Sequence, residues 1–130
     1  MAADGNEYVH IAEFRSALRR FLRRTEKVAR EAGLTPQRYL LLLMVKGAPD
    51  GSEMSTVTEL SERRQLAQST VTELVGRAEQ AGLLIRRPSE VDARVVHVSL
   101  TEEGELRLQQ AFTTLESERE TLRETILSLE

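Results

Sequence analysis

The sequence predicts a mainly α-helical fold with one small β-hairpin, and three observations support this prediction. Apolar residues recur every three or four positions over most of the 130 residues, which is the period of a helix with one buried face. Between Leu83 and Leu100 this period changes to strand-like alternation around a turn-rich segment. The predicted order is two helices, a short helix, a turn, a helix, a hairpin and a long helix. This order defines a winged helix-turn-helix flanked by N- and C-terminal helices that we expect to form a dimer. The alternative is that these two helices fold back on their own domain.

Composition restricts the function before any motif is considered. A chain of 130 residues that is 40% hydrophobic is long enough for one domain with its own core. Its N-terminus, MAADGNEYVH, is too polar for a signal peptide, and no apolar run approaches the roughly 20 residues of a membrane helix. We therefore expect a cytoplasmic protein without a membrane partner. The absence of cysteine excludes disulfides and thiol chemistry.

The net charge of −3 hides an uneven distribution along the chain. Residues 8–32 contain seven cations and three glutamates, whereas residues 102–130 contain eight glutamates and three arginines. Residues 55–101 contain six charges of each sign. A local basic surface is therefore compatible with an acidic total.

The first half of the chain predicts two helices of different character. Residues 8–32 form an amphipathic pattern, and Gly33 is a typical stop signal. Thr35 and Pro36 are favoured residues at a helix N-cap and first turn, and they precede a helix over residues 37–46. Because this second helix is apolar nearly all round, we expect it to be buried.

The second half predicts a helix-turn-helix, a hairpin and a final helix. Thr56 and Glu59 form a capping-box pattern that opens a short helix ending near Arg64. A second helix over residues 68–81 follows a turn, and its inner face consists of Val71, Leu74, Val75 and Ala78. Strands are predicted over residues 83–87 and 94–100. Thr101 then caps one long final helix.

Three sequence features resemble the MarR family of bacterial transcription regulators. These are Leu34-Thr35-Pro36, the helix sequence STVTELVGRAEQAGLL, and the pattern D-x-R-x-x-x-V-x-L-T-x-x-G that runs from Asp92 to Gly104. The resemblance covers about residues 10–125. It implies a homodimer whose two winged helices dock in successive major grooves of a near-palindromic double-stranded DNA operator. It also implies release by a small aromatic or anionic ligand bound where the two parts of the protein meet.

The resemblance assigns a part to each segment of a single MarR-type domain over residues 1–130. Residues 8–33 and 102–130 would be dimerisation helices, residues 34–54 the central helix and a loop, and residues 55–101 the winged helix-turn-helix. The chain also departs from the family pattern. Ala67 stands at the N-cap of the second helix of the motif, which costs about 1 kcal/mol of local stability. Arg64 and Gln65 stand where relatives often have an apolar residue and glycine, and Glu73 where they have a basic or polar one.

The second helix of the motif carries the candidate DNA-reading residues. Gln68, Ser69, Thr70 and Thr72 lie near its N-terminus, where side chains enter a major groove, and Arg77 lies where it can clamp a phosphate. Glutamine can bond adenine with two hydrogen bonds, and hydroxyls suit phosphates or bases. Glu73 would either accept from a cytosine or act against other sequences. The alternative is that these residues are only solvated helix positions.

The hairpin would be the wing. The resemblance places Arg94 in a minor groove, whose negative potential attracts guanidinium groups. Asp92 can accept hydrogen bonds from Arg94 and hold the loop in shape, although an ordinary surface salt bridge is the alternative. Arg86 and Arg87 could contact phosphates beside the wing.

A basic face on the first helix suggests a further candidate site. Arg19 and Arg23 could line a pocket for an anionic ligand, with Phe14 and Tyr39 as aromatic walls on family analogy. Alternatively, this face is solvated or pairs with the acidic final helix across a dimer.

No pattern in the sequence predicts catalysis. There is no nucleophile with a nearby base and no glycine-rich phosphate loop, so we expect neither an enzyme nor a bound cofactor or metal. The predicted function is a sequence-specific DNA-binding transcription regulator, acting as a ligand-responsive homodimeric repressor. The alternative is a winged helix that binds only protein, but Arg86, Arg87 and Arg94 argue against it.

Overall fold

The computed structural model describes residues 4–129, and this part of the chain contains six helices and one two-stranded antiparallel sheet. The elements are α1 (Gly5–Glu31), α2 (Pro36–Lys46), α3 (Val57–Arg64), α4 (Gln68–Gln80), β1 (Leu84–Pro88), β2 (Val96–Leu100), α5 (Glu102–Thr114) and α6 (Glu116–Leu127). This order confirms the predicted mainly α-helical fold with a hairpin wing. None of these helices is long and apolar enough to cross a membrane.

Most helices begin at a side chain that caps the backbone. The side chains of Asp4, Thr35, Thr56 and Thr101 each accept a hydrogen bond from a backbone N–H in the first turn of α1, α2, α3 and α5. The predicted capping box of α3 is complete. Ala67 caps α4 without any side-chain hydrogen bond, as its identity requires. The start of α4 therefore lacks a local source of stability that those four helices have.

Arginines from other elements satisfy the carbonyls at two helix ends. Arg63 of α3 donates from Nη1 to the carbonyl oxygen of Met44, at 2.8 Å, and from Nη2 to that of Gly47, at 3.2 Å. Arg107 of α5 donates from Nη1 to the carbonyl oxygen of Gly33, at 3.0 Å. The last carbonyls of a helix have no partner within the helix, so these contacts both cap α2 and α1 and join them to other elements.

The core surrounds α2, which contacts α1, α4, α5 and β2. Leu41, Leu42 and Val45 are almost completely buried, so the expectation of a buried helix is confirmed for this face of α2, while Leu40 is exposed. The predicted inner face of α4 is confirmed at three positions, since Val71, Val75 and Ala78 are buried, while Leu74 is only partly buried.

The hairpin is attached to the segment that precedes α3. Leu84 lies opposite Leu100 at the base of the two strands. Ser55 then adds a short bridge to the other edge of β2, with its N–H 3.2 Å from the carbonyl oxygen of Val98 and its carbonyl oxygen 2.8 Å from the Val98 nitrogen. The wing is therefore held against the helix-turn-helix by backbone hydrogen bonds.

Gly104 lies at a close contact between α5 and the start of the wing. A Cβ atom on Gly104 would overlap the carbonyl oxygen of Leu83. That oxygen also accepts from the backbone N–H of Thr101, at 3.0 Å, and the Thr101 hydroxyl donates to the carbonyl oxygen of Gly82, at 2.6 Å. The junction therefore requires a residue without a side chain in the first turn of α5.

The prediction of one long final helix is wrong, because the chain leaves helical geometry at Leu115 and forms α5 and α6. Leu115 is buried, and the break lets α6 pack along α1. Arg119 donates to the carbonyl of Phe112 in the last turn of α5 and stacks 3.6 Å from the centre of its ring. A salt bridge of 3.0 Å between Arg24 and Glu118 joins α1 to α6.

Candidate nucleic-acid interface

A tight turn sets the position of α4 against α3. Gln65 ends α3 in the left-handed conformation, with φ of 54° and ψ of 44°. The backbone N–H of Leu66 then bonds to the carbonyl oxygen of Ser61 at 3.0 Å. A non-glycine residue is strained in this conformation, so the turn has a small energetic cost at Gln65.

The predicted reading residues of α4 share one exposed surface. Gln68, Ser69, Thr70 and Thr72 are all exposed in the first turns of the helix, whereas Val71 between them is fully buried. The backbone periodicity thus gathers four polar side chains where a helix can present them to a groove.

Thr58 of α3 connects this surface to the wing, and sequence reasoning missed it. The Nε2 atom of Gln68 donates to the Thr58 hydroxyl at 3.3 Å, which leaves Oε1 and a second N–H of the amide available. Thr58 also lines a cleft of about 420 Å³ between α3 and the wing, whose other polar walls include Arg86 and Arg94. The start of α4 is therefore joined through Thr58 to a wall of the cleft that the wing also lines.

Asp92 holds Arg94 in the wing loop. One carboxylate oxygen accepts from the Arg94 backbone N–H at 3.0 Å and from Nε at 3.2 Å, and the other accepts from Nη2 at 3.2 Å. Hydrogen bonds from the Arg94 side chain, and then from its backbone, hold the pKa of Asp92 below its ordinary value. The Arg94 side chain is nonetheless 90% exposed.

The turn around Asp92 also changes the length of the second strand. The backbone N–H of Val95 bonds to the Asp92 carbonyl oxygen at 2.9 Å, so this part of the loop is a closed turn. As a result β2 begins at Val96, and Arg94 lies in the loop rather than in the strand as predicted.

The other predicted phosphate contacts differ in their surroundings. Arg77 forms a salt bridge with Glu73 one turn earlier on α4, and Arg86 of β1 forms one with Glu79 near the end of α4. Arg87 is exposed and forms no salt bridge within residues 4–129. Of the predicted cations, therefore, Arg87 alone has no carboxylate partner in the described part of the chain.

The four candidate ligand residues do not surround a common cavity. Tyr39 is 4% exposed and lies in the core, where burial raises the pKa of its hydroxyl group. Arg19 and Arg23 are exposed on the outer side of α1, and Phe14 is half-buried. A cleft of about 410 Å³ between α1 and α6 is lined instead by their neighbours Arg20 and Arg24.

A more apolar cleft lies between α2 and α5. It has a volume of about 440 Å³, and its walls include Leu43, Leu108 and Phe112. Lys46 lies at its edge and forms salt bridges with Glu105, at 2.9 Å, and with Glu53, at 3.0 Å. The hydrogen bonds to Glu105 and then Glu53 raise the pKa of the Lys46 ammonium group. No local sequence pattern indicated this cleft, because its walls come from two distant helices.

The arrangement of α3, α4 and the hairpin defines a winged helix-turn-helix protein. The sequence model of the MarR family matches residues 32–95. The chain is also 31% identical over 108 residues to YsmB, an uncharacterized HTH-type transcriptional regulator of Bacillus subtilis (strain 168), over 80% of this chain and 71% of that protein. The chain therefore belongs to the MarR family.

Two further relatives of Bacillus subtilis (strain 168) are regulators by name. The chain is 38% identical over 78 residues to the organic hydroperoxide resistance transcriptional regulator, over 60% of this chain and 50% of that one. It is 35% identical over 80 residues to the transcriptional repressor MdtR, over 62% of this chain and 49% of that one. The matches thus span about half the length of these relatives. The relatives are named as regulators and not as enzymes, which agrees with the sequence prediction.

Solved structures of the family share the fold. The transcriptional regulator Tm0710 from Thermotoga maritima has a TM-score of 0.65 and 30% identity, over 88% of this chain and 75% of that one. A cysteine-to-serine mutant of MarR from E. coli, complexed with operator DNA, has a TM-score of 0.68 and 19% identity, over 93% of this chain and 85% of that one.

Proposed function

We propose that this protein is a sequence-specific double-stranded DNA-binding regulator that acts in the cytoplasm as a homodimeric repressor. The observation that carries the proposal is the link between the exposed start of α4 and the wing: Gln68 bonds to Thr58, and Thr58 lines the same cleft as Arg86 and Arg94. A helix and a loop linked in this way can contact a major groove and the adjacent minor groove together. The name of the relative MdtR supports repression.

Each part of this surface has a distinct task in the proposed complex. Gln68 presents the free oxygen and N–H of its amide to a base edge, while the hydroxyls of Ser69, Thr70 and Thr72 reach phosphates or bases. Arg94 inserts its guanidinium group into a narrow minor groove, where the negative potential is strongest. Asp92 lowers the entropy lost on insertion, because it already holds the loop and the guanidinium group.

Uncovered apolar residues at the helix ends support a homodimer. Near the start of α1 and the end of α6 several large apolar side chains remain exposed in the single chain, namely Tyr8, Val9, Ile11, Ile126 and Leu127. Several exposed large apolar side chains near the helix ends favour a protein contact over a solvated face. A second copy of the chain would cover it.

Opposite charges on the same two helices fit this dimer. Three exposed residues at four-residue spacing line each helix: Arg15, Arg19 and Arg23 on α1, and Glu116, Glu120 and Glu124 on α6. Residues at this spacing share one helix face, so the two rows can lie against each other across a dimer.

The cleft between α2 and α5 is the candidate site for a regulatory ligand. Its apolar walls suit an aromatic ring, and Lys46 at its edge suits an anionic group. A ligand anion there would compete with Glu105 for Lys46 and alter the contact between α5 and α2.

Selection of binding duplexes from a random pool tests the DNA-binding proposal. If each subunit places about three cations on phosphates, the log–log salt slope of the dimer should be near −5. Arg94→Ala should weaken binding to all duplexes, whereas Gln68→Ala should relax discrimination at one base pair per half-site. Arg123→Ala, on α6, is the matched control and should leave affinity unchanged. A winged helix that binds only protein would give no salt-dependent affinity for any duplex.

A further inference from the structure

The DNA-reading segment carries no net charge, which is unexpected for a surface proposed to bind a polyanion. Residues 68–94 contain four arginines and four carboxylates. The arginines are Arg77, Arg86, Arg87 and Arg94, and the carboxylates are Glu73, Glu79, Glu90 and Asp92. Sequence-independent affinity for DNA comes almost entirely from cations that neutralise phosphates. A neutral segment should therefore bind non-operator DNA weakly.

The acids are placed against the arginines. Glu73 pairs with Arg77 along the exposed side of α4, and both side chains are 62% exposed. Glu79 pairs with Arg86 across the junction of α4 with β1. An exposed pair such as Glu73–Arg77 adds little to folding stability, so stability does not account for this acid on a surface that should favour cations.

We propose that Glu73 and Glu79 are positioning residues that restrain Arg77 and Arg86 and thereby lower the affinity for DNA of any sequence. The inference rests on the proposed DNA-binding function. To reach a phosphate, each arginine must leave its carboxylate, and the carboxylate then repels the same phosphate. Fewer counterions are released, so a larger share of the binding free energy comes from the base contacts of α4.

The two acids differ in position, which separates this role from base reading. Glu73 is exposed on the face of α4 that also carries Thr72, so it could accept a hydrogen bond from a cytosine. Glu79 is half-buried near the far end of α4 and bonds to Arg86 of β1. Restraint of an arginine is the one role that Glu73 and Glu79 share. Substitution of either acid should therefore raise the affinity for random-sequence DNA.

Asp92 is not included in this proposal, because its contacts differ from those of Glu73 and Glu79. It also accepts from the backbone N–H of Arg94, and its own carbonyl closes the turn with Val95. A substitution there would change the shape of the wing as well as its charge.

The test compares Glu73→Gln, Glu79→Gln and the double variant of the full chain on a random-sequence duplex, by fluorescence anisotropy over a range of salt concentrations. Each single variant should bind about fivefold to tenfold more tightly near 0.1 M salt and steepen the log–log slope by about 0.9 per additional phosphate contact. Glu103→Gln is the control, because it removes the same charge and also breaks an exposed i,i+4 pair, with Arg107 on α5. It should change the affinity less than twofold, and thermal unfolding should confirm that all variants are folded.

The same variants on the duplex obtained by selection give the second readout. The ratio of operator affinity to random-duplex affinity should fall in the double variant, because the freed arginines add mainly to sequence-independent binding. The inference is overturned if the wild type binds duplexes but neither variant binds random duplex more tightly than Glu103→Gln does. A change confined to one base pair in Glu73→Gln would make Glu73 a base-reading residue instead. Absence of salt-dependent binding in the wild type and all variants would overturn the proposed function as well.

Discussion

Arginine side chains have two different tasks in this chain, and their partners distinguish them. Arg63, Arg107 and Arg119 donate to carbonyls at the C-terminal ends of α2, α1 and α5. The planar guanidinium group carries five donors, so Arg63 can bond two carbonyls at once, which a lysine ammonium on a flexible stem does less well. Arg77, in contrast, pairs with Glu73 on the outer surface, where a phosphate could replace the acid.

The Ser55 hydroxyl group lowers the stability of the fold because it is buried without a hydrogen bond. It is 1% exposed, and its hydroxyl group has no hydrogen-bond partner in the described structure. Ser55→Ala should raise the free energy of unfolding by about 1 kcal/mol, since the buried hydroxyl is removed and the backbone bridge to Val98 remains. Urea denaturation measures this change. Ser61→Ala is the control, because the Ser61 hydroxyl donates to the carbonyl oxygen of Thr58 at 2.8 Å and its loss should lower stability. Equal losses in both variants would contradict the expectation.

The local contacts of single residues were predictable from the sequence, and the distant ones were not. The caps at Thr35, Thr56 and Thr101 could be predicted because capping is a local contact. Each of these side chains accepts from a backbone N–H only three residues further on. The contact of Arg63 with Met44 depends on how α3 packs against α2, and no local pattern carries that information.

The same division applies to the candidate interface. The exposed face of α4 follows from helical periodicity, and the Asp92–Arg94 contact follows from a two-residue spacing in a turn. The pair of Glu79 with Arg86 joins a helix to a strand and became visible only in the structure.

At the scale of elements, the final helix shows the limit of periodicity. Leu108, Leu115 and Leu122 continue one apolar stripe at seven-residue spacing, so the pattern predicted a single helix. An interruption of one residue leaves such a stripe in register, and hydrophobic spacing cannot detect it. Burial of Leu115 together with packing of α6 along α1 decides the break, and both depend on tertiary contacts.

The junction between the wing and α5 gives a prediction about two glycines in helices. Gly104→Ala should lower the free energy of unfolding by about 2 kcal/mol or more, because the new Cβ overlaps the backbone oxygen of Leu83 and the elements must separate. Gly76→Ala in α4 is the matched control. Its Cβ would meet no atom within 4 Å, so alanine should stabilise the helix by about 0.5–1 kcal/mol. Denaturant unfolding of both variants should give changes of opposite sign, and a Gly104→Ala variant as stable as the wild type would show that the junction is not tightly packed.

At the scale of the whole molecule, charge is divided among three regions with different proposed partners. The exposed side of α1 is basic and α6 is acidic, while the reading segment over residues 68–94 is neutral. Within residues 4–129, Arg24 and Glu118 form the salt bridge between α1 and α6. The other charges on these helices could pair with a second copy of the chain in the proposed dimer, in which case DNA affinity should depend on assembly as well as on the reading surface.

Assembly gives the last prediction, on the exposed apolar residues at the helix ends. Ile126 is 46% exposed in the single chain, so Ile126→Asp should leave the subunit folded while it places a charge in the proposed dimer contact. Light scattering should show a shift from dimer to monomer mass, and operator affinity should fall at least about tenfold because one half-site binds without the other. Val91→Asp is the control for mass, since Val91 is 97% exposed at the tip of the wing, far from the helix ends. A monomeric wild type, or a variant that remains dimeric with full affinity, would contradict the proposed assembly.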